Sequence, residues 1–152
     1  FSDEHGDYPA GTYVRNPIGT EHRPHIGPKG ATILVKLCQF EAADQAQKTI
    51  NTAGMTFAQG SAPGVTELLL HHVTTETVRL VRFAPGVRLD SHAHPAGEEL
   101  FVLVGSFGDE AGHYSRGTWV RSPAGSSHAP YSDEGCLLWI KTGHLPNPAT
   151  PH

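Results

Sequence analysis

The sequence predicts an all-β domain, a sandwich or barrel built from many short strands, on three observations. Its apolar stretches are brief, β-branched or aromatic, and bounded by glycine, proline, aspartate or serine. Glycine and proline number 17 and 12 of 152 residues, a density that breaks up long helices without reaching low complexity. A 24-residue stretch also occurs twice, so one structural unit is used more than once.

Taken in order, residues 12–16, 32–38, 77–83, 99–104, 118–121 and 137–141 read as strands. Along 98–104, Glu98, Leu100 and Val102 alternate with Phe101 and Leu103. A strand apolar on both faces is buried on both, so another unit or subunit is expected to cover the outer one. Residues 41–49 (EAADQAQKT) depart from the pattern. They suit two helical turns or a solvated linker, and they carry no apolar stripe.

The repeat aligns residues 1–24 with 107–130 at an offset of 106 and places 13 identities in 24 positions. Among them are Phe1/Phe107, Asp3/Asp109, Glu4/Glu110, Tyr8/Tyr114, Gly11/Gly117 and His22/His128. With one residue dropped, 30–36 then matches 135–141. The expected organisation is the back half of a first unit at 1–40, a linker at 41–64, a complete unit at 65–145 and a tail at 146–152.

A formal charge of −4 supplies no basic field for nucleic acid or anionic lipid. No apolar run approaches the ~20 residues of a membrane span. The Phe-Ser-Asp-Glu opening does not read as a signal peptide. Cys38 and Cys136 form no CxxC pair and read as two reduced thiols in a cytoplasmic setting. Histidine, at 11 residues, is the count that stands out, and imidazole is the commonest metal ligand.

The chemistry concentrates in APGVRLDSHAHPAGEELFVLVG, where His92-x-His94 is followed after three residues by Glu98. Residues i and i+2 of a strand share a face, so His92 and His94 aim into one space. The Pro95-Ala96-Gly97 turn returns Glu98 toward it, and a later Pro123-x-Gly125-x2-His128 run adds a third imidazole. Together they make a three-histidine, one-carboxylate site for a divalent metal with open positions. Glu99 is the competing carboxylate, and the six-residue spacing from Glu98 to Gly105 favours Glu98.

These two runs resemble the two motifs of the cupin family, over roughly residues 65–145. The resemblance implies a cupin jelly roll (double-stranded β-helix), here with additional N-terminal strands, and metal held by His92, His94, Glu98 and His128. The family's second motif usually ends with Asn four positions after its histidine, where this chain has Ser132. The wording GEELFVLVGSFGDEAGHYSRGTWVRSPAGSSHAP is similar to the cupin-like domain of ChrR-type anti-sigma factors and to bicupins built from the same unit. The first copy then looks like the second half of a truncated unit. Nothing here matches the N-terminal sigma-binding zinc domain of ChrR-type regulators.

Other residues read more plainly. His22 matches His128 but has no HxH partner, and His5, His25, His113 and His144 read as surface histidines. His71 and His72 are adjacent, so they point to opposite faces of a strand and cannot serve one site. Arg79 and Arg82 suit barrel-exterior solvation better than a substrate carboxylate, and Trp119, Tyr131 and Trp139 read as core. The expected function is a metal-dependent dioxygenase acting on a small carbonyl compound, with a ChrR-type sensory module without catalysis as the alternative. The expected cofactor is one divalent transition metal (Zn, Fe, Mn, Ni or Co), zinc or iron foremost. A small-molecule ligand and a homodimer are the expected partners.

Overall fold

A computed structural model describes residues 1–146, and the expected tail lies outside them save for Pro146. Every regular element among the described residues is a strand. No helix is long and apolar enough to cross a membrane. The chain is all-β with a curled sheet, as the sequence predicts. Contacts divide it into two units, Phe1–Met55 and a second beginning at Thr56.

The first unit holds β1 (Ser2–Asp3), β2 (Gly6–Asp7), β3 (Thr12–Arg15) and β4 (Lys48–Asn51). β1 and β2 form a tight hairpin, and Ser2 bridges to His25. β3 pairs antiparallel with β4, so part of the 41–64 stretch is strand. Asp44 in that stretch is buried against the guanidinium of Arg15, which also lies 3.7 Å over the Phe40 ring. One strand expected from sequence is not there. Residues 32–38 have no ladder partner, and Ile33, Leu34, Val35 and Leu37 are exposed. A run of β-formers becomes a strand only when a neighbour accepts its hydrogen bonds.

The second unit comprises β5 (Ala58–Gln59), β6 (Val65–Val73), β7 (Glu76–Phe83), β8 (Val87–Arg88), β9 (His92–His94) and β10 (Glu98–Asp109). It continues with β11 (Gly112–Ser115), β12 (Trp119–Ser122), β13 (Ser126–His128), β14 (Tyr131–Ser132) and β15 (Cys136–Thr142). Neighbouring strands run β5-β6-β7-β15-β10-β14-β8, with β11 and β12 also on β10 and β9 paired separately with β13. The inner faces pack as one core of Val81 and Phe83, Leu100 and Val102, Phe107, and Leu138 and Ile140. Trp119 is not in it. It stands 52% exposed on the outer face, beside half-buried Phe101 and exposed Val104.

β10 is the spine. Its first residues lie between β15 and β12, and its last four pair with β11. The change of partners needs a bend, supplied by a register shift between Val102 and Val104 and by Gly105 at φ 70°. A Cβ on Gly105 would lie 2.1 Å from the Gly135 carbonyl oxygen, so the site needs glycine for space as well as for torsion. Gly117 at φ 88° has open space around it. Gly105→Ala is therefore expected to lower stability by at least about 3 kcal/mol, against about 1 kcal/mol for Gly117→Ala. Thermal or urea unfolding of the two variants checks this, and equal costs would mean that the bend is not tightly packed.

Candidate metal centre

Local pairing assembles the three imidazoles. β9 lies antiparallel to β13, with His92 opposite His128 and His94 opposite Ser126. Strand alternation puts His92 and His94 on one face, and cross-strand pairing brings His128 to it. Their ligating atoms lie within 4.8 Å of one another. Gly97 N donates to His94 O at 3.0 Å, closing the turn that starts β10 with Glu98. Glu98 Oε1 sits 3.6 Å from His94 Nε2 and 3.7 Å from His128 Nε2. Of the four residues singled out from the motif spacing, the three histidines thus form one cluster, and Glu98 approaches two of them.

Two of the rings are oriented from behind. His92 Nδ1 donates to the Asp90 carbonyl at 3.1 Å, and His128 Nδ1 donates to Asp109 Oδ2 at 3.2 Å. Each bond leaves Nε2 as the ring's ligating atom. Asp109 Oδ1 accepts from Ala111 N, Gly112 N and the Tyr114 hydroxyl, so the carboxylate is itself locked. Motif spacing overlooks Asp109 and Tyr114. The repeat already marks both, because Asp3/Asp109 and Tyr8/Tyr114 are among its identities.

Electrostatics prepare the cluster for a cation. Burial pushes the Glu98 carboxyl up to about 7, with the Arg79 charge pulling weakly the other way. Burial, reinforced by the neighbouring His128 and His92 rings, pushes His94 down to about 4, so it is neutral at physiological pH. Glu98 Oε1 is buried without a hydrogen-bond donor. His94 Nε2 and His128 Nε2 approach to 3.0 Å. With ligand bonds of about 2.1 Å, that separation subtends about 90° at a shared ion, and the 3.6–3.7 Å edges to Glu98 subtend about 120°. The donor set and its spacing fit a divalent transition metal.

Glu99 lies on the other face. It meets Arg121 Nε at 3.4 Å and His144 Nε2 at 3.1 Å, which makes His144 a half-buried partner of Glu99 instead of a surface histidine. His71 is buried on β6 beside Val78, and His72 is exposed. Arg79 corrects the exterior reading. With Glu67, its ion-pair partner at 3.1 Å, it lines the cavity of about 490 Å³ that opens onto the imidazoles. Val81, Phe83, Leu100 and Phe107 supply apolar wall. Arg82 stacks on Phe57 at 4.2 Å. His22 lies in the first unit, and the only three-ligand cluster among the described residues is His92, His94 and His128.

The model of the ChrR cupin-like domain family matches residues 1–41 and 45–146. The chain belongs to the ChrR cupin-like domain family. The match falls in two stretches, each containing one copy of the repeat. Among solved structures, the complex of Rhodobacter sphaeroides SigE with the anti-sigma ChrR is similar at 22% identity and TM-score 0.54, over 59% of this chain and 50% of that one. An acetylacetone dioxygenase from Acinetobacter johnsonii is similar at 15% identity and TM-score 0.57, over 71% and 80%. A putative acetylacetone dioxygenase from Methylibium petroleiphilum PM1 reaches TM-score 0.61 at 11% identity, over 74% and 90%. At these identities the likeness is one of cupin fold. No curated protein sequence matches the chain.

Asp109→Asn tests the orientation of His128. The amide keeps an oxygen for the backbone donors but can turn an NH2 toward Nδ1, which favours the proton on the ligating Nε2. Metal affinity is expected to fall about 10–100-fold with the fold intact, as read by competition titration against a chromophoric chelator. Unchanged affinity would exclude Asp109 from the site.

Glu98→Gln tests the buried charge. A pKa raised to about 7 stabilises the metal-free fold at low pH, and that contribution is lost as pH rises through 7. Metal-free Glu98→Gln is therefore expected to melt at least about 4 °C above metal-free wild type at pH 8 and close to it at pH 5. Added metal should reverse the order at pH 8. Parallel melting curves with no pH dependence of the difference would refute the assignment.

Proposed function

We propose that the second unit is a mononuclear metal centre in which His92, His94, Glu98 and His128 hold one divalent ion, iron or zinc foremost, and that the iron form is a dioxygenase of small carbonyl compounds. The observation that carries this reading is the joining of the four donors to one largely apolar cavity walled by the Arg79–Glu67 pair. A divalent ion with one carboxylate and three neutral imidazoles keeps a net charge of +1 and open positions for a substrate oxygen and O₂. Bound iron would supply Lewis acidity and O₂ activation. The chain's own residues do the rest. Val81, Phe83, Leu100 and Phe107 exclude water, Arg79 orients a polar substrate oxygen, and Asp109 holds His128 in place. A small β-diketone, neutral as a ketone and anionic as an enolate, suits that combination of an apolar wall and a single positive charge.

The family match supports a second reading, in which the same centre is a ChrR-type sensory module whose metal occupancy alters contact with a protein partner. Metal analysis of protein purified without a histidine tag, followed by O₂ uptake, separates the two. Iron-loaded protein is expected to consume O₂ only when a small β-diketone is supplied, and His94→Ala should abolish both metal and uptake. Tightly held zinc, with no uptake after iron loading, would leave the sensory reading.

Exposed Val104 and Trp119 on one face of the sheet, with Phe101 half-buried beside Trp119, support a homodimer joined through this outer face. Light scattering should give a dimer that Trp119→Glu dissociates. A monomeric wild type at micromolar concentration would remove the proposal.

A further inference from the structure

His22 has the same setting in the first unit that the ligand His128 has in the second. His22 Nδ1 lies 3.1 Å from Asp3 Oδ2, where His128 Nδ1 lies 3.2 Å from Asp109 Oδ2. The Tyr8 hydroxyl donates to Asp3 Oδ1 at 2.8 Å, as that of Tyr114 does to Asp109 Oδ1 at 3.2 Å. Glu4 accepts from Arg23 N at 2.8 Å, as Glu110 does from Ala129 N at 2.9 Å. The ring pairs Phe1–Tyr8 and Phe107–Tyr114 have the same 4.8 Å separation and 31° tilt. Even the bridge Ser2↔His25 repeats Gly108↔Tyr131 at the offset of 106. All that orients a metal-ligating histidine is built around His22, with Nε2 left over.

The second unit surrounds this machinery with residues 65–106, and residues 1–55 contain no counterpart of that stretch. Three features have their partners there. His128 is opposite His92 on the paired strands β13 and β9, whereas residues 20–22 are in no strand. β15 lies between β10 and β7 with Leu138 2% and Ile140 9% exposed, whereas their counterparts Ile33 and Val35 are 47% and 60% exposed. The third is an open strand edge. Val102 N donates to Thr118 O, so Val120 and Leu100 form the hydrogen-bonded pair of that ladder. Thr52 N donates to Gly11 O, so Tyr13 and Ile50 form the equivalent pair in the first unit. Tyr13 is the counterpart of Trp119 and Val14 that of Val120, so β4 uses the opposite edge of β3 from the one β10 uses on β12. No strand of the first unit pairs with the edge that carries Val14.

We propose that the first unit is the built half of a second divalent-metal site, with His22 Nε2 as its ligand, completed by a polypeptide segment with the strand and HxH-x3-E pattern of residues 65–106. That segment would supply two histidines and a glutamate, the β10-like strand on the Val14 edge, and the two neighbours of residues 31–37. The proposal extends the reading of His92, His94, Glu98 and His128 as metal ligands. It does not follow from it, because the two sites share no ligand.

The repeat dictates the test. Ser106 precedes Phe107, so residues 65–106 of this chain joined directly ahead of Phe1 reproduce the native junction. The chimera is expected to bind two divalent ions per chain by elemental analysis, where the unmodified chain binds one. His22→Ala in the chimera should remove one ion, and His128→Ala the other, with the cobalt-loaded forms showing one remaining ligand-field spectrum in each case. A chimera that does not fold, that binds a single ion lost on His128→Ala, or that keeps two ions after His22→Ala overturns the proposal. An unmodified chain that binds no ion, beside a chimera whose one ion is lost on His22→Ala, would sink the proposed function and sustain this site. A second measurement needs no chimera. Long-range ¹⁵N correlation spectra of the unmodified chain should show His22 protonated at Nδ1 and bare at Nε2, and the reverse tautomer overturns the proposal.

Discussion

A carboxylate buried beneath three imidazoles is the constraint around which the second unit is arranged. Glu98 stands on the inner face of β10 in series with Leu100 and Val102, both almost wholly buried. An isolated charge at such a depth costs several kcal/mol, and proteins resolve it by a proton or by a cation. The proton solution appears in the upward shift of Glu98, and the cation solution in the imidazoles of His94 and His128 beside the same oxygen. The longest strand of the chain carries the carboxylate at one end and, past the bend at Gly105, Asp109 at the other. One strand therefore supplies both the Glu98 carboxylate and the Asp109 carboxylate that orients His128. This explains why its bend admits so little freedom.

Legibility from sequence followed the range of the interaction. His92, His94 and Glu98 were readable because alternation and one turn decide their placement within seven residues. The six-residue spacing to Gly105 favoured Glu98 over Glu99, and strand alternation in the structure turns Glu99 to the opposite face, with Arg121 and His144. Arg79 was not readable. Its neighbours in sequence do not reveal whether its face of β7 is lined by solvent or by a cavity shared with Glu67. Trp119 misled for a related reason, since aromatic size signals burial only where an opposing surface exists, and its face of β12 has none among the described residues of its unit.

The two copies of the repeat separate local from long-range determinants. The hairpin, the Tyr–Asp–His relay and the Glu–backbone bond form in both, although only one copy is accompanied by residues 65–106. All of these contacts lie within 24 consecutive residues. They therefore close at small loop entropy and need no further partner. The apolar run at 32–38 is different. Its counterpart becomes strand β15 through ladders to β7 and β10, which lie some thirty to sixty residues earlier in the chain. The same residue types that make a buried strand in one unit stay largely exposed and outside any ladder in the other. β-propensity is a statement about fitting a neighbour, and here the neighbour is what differs.

The cavity's charge balance bears on which small molecules the centre can accept. Arg79 and Glu67 cancel at the wall, so on the proposed reading the field beside the imidazoles would be set by a bound ion and Glu98. A divalent ion held there would leave a single positive charge, which one monoanionic oxygen ligand would neutralise and a dianion would overfill. The apolar lining disfavours a strongly hydrated ligand for the same reason that it raises the Glu98 pKa. A compact compound that enters neutral and loses one proton on binding satisfies both conditions. On the proposed reading, in which Glu98 holds the ion, that proton would leave with solvent. Catalysis and sensing would draw on this same selectivity, and they diverge only in whether the bound ion activates O₂ or reports its own presence to a partner.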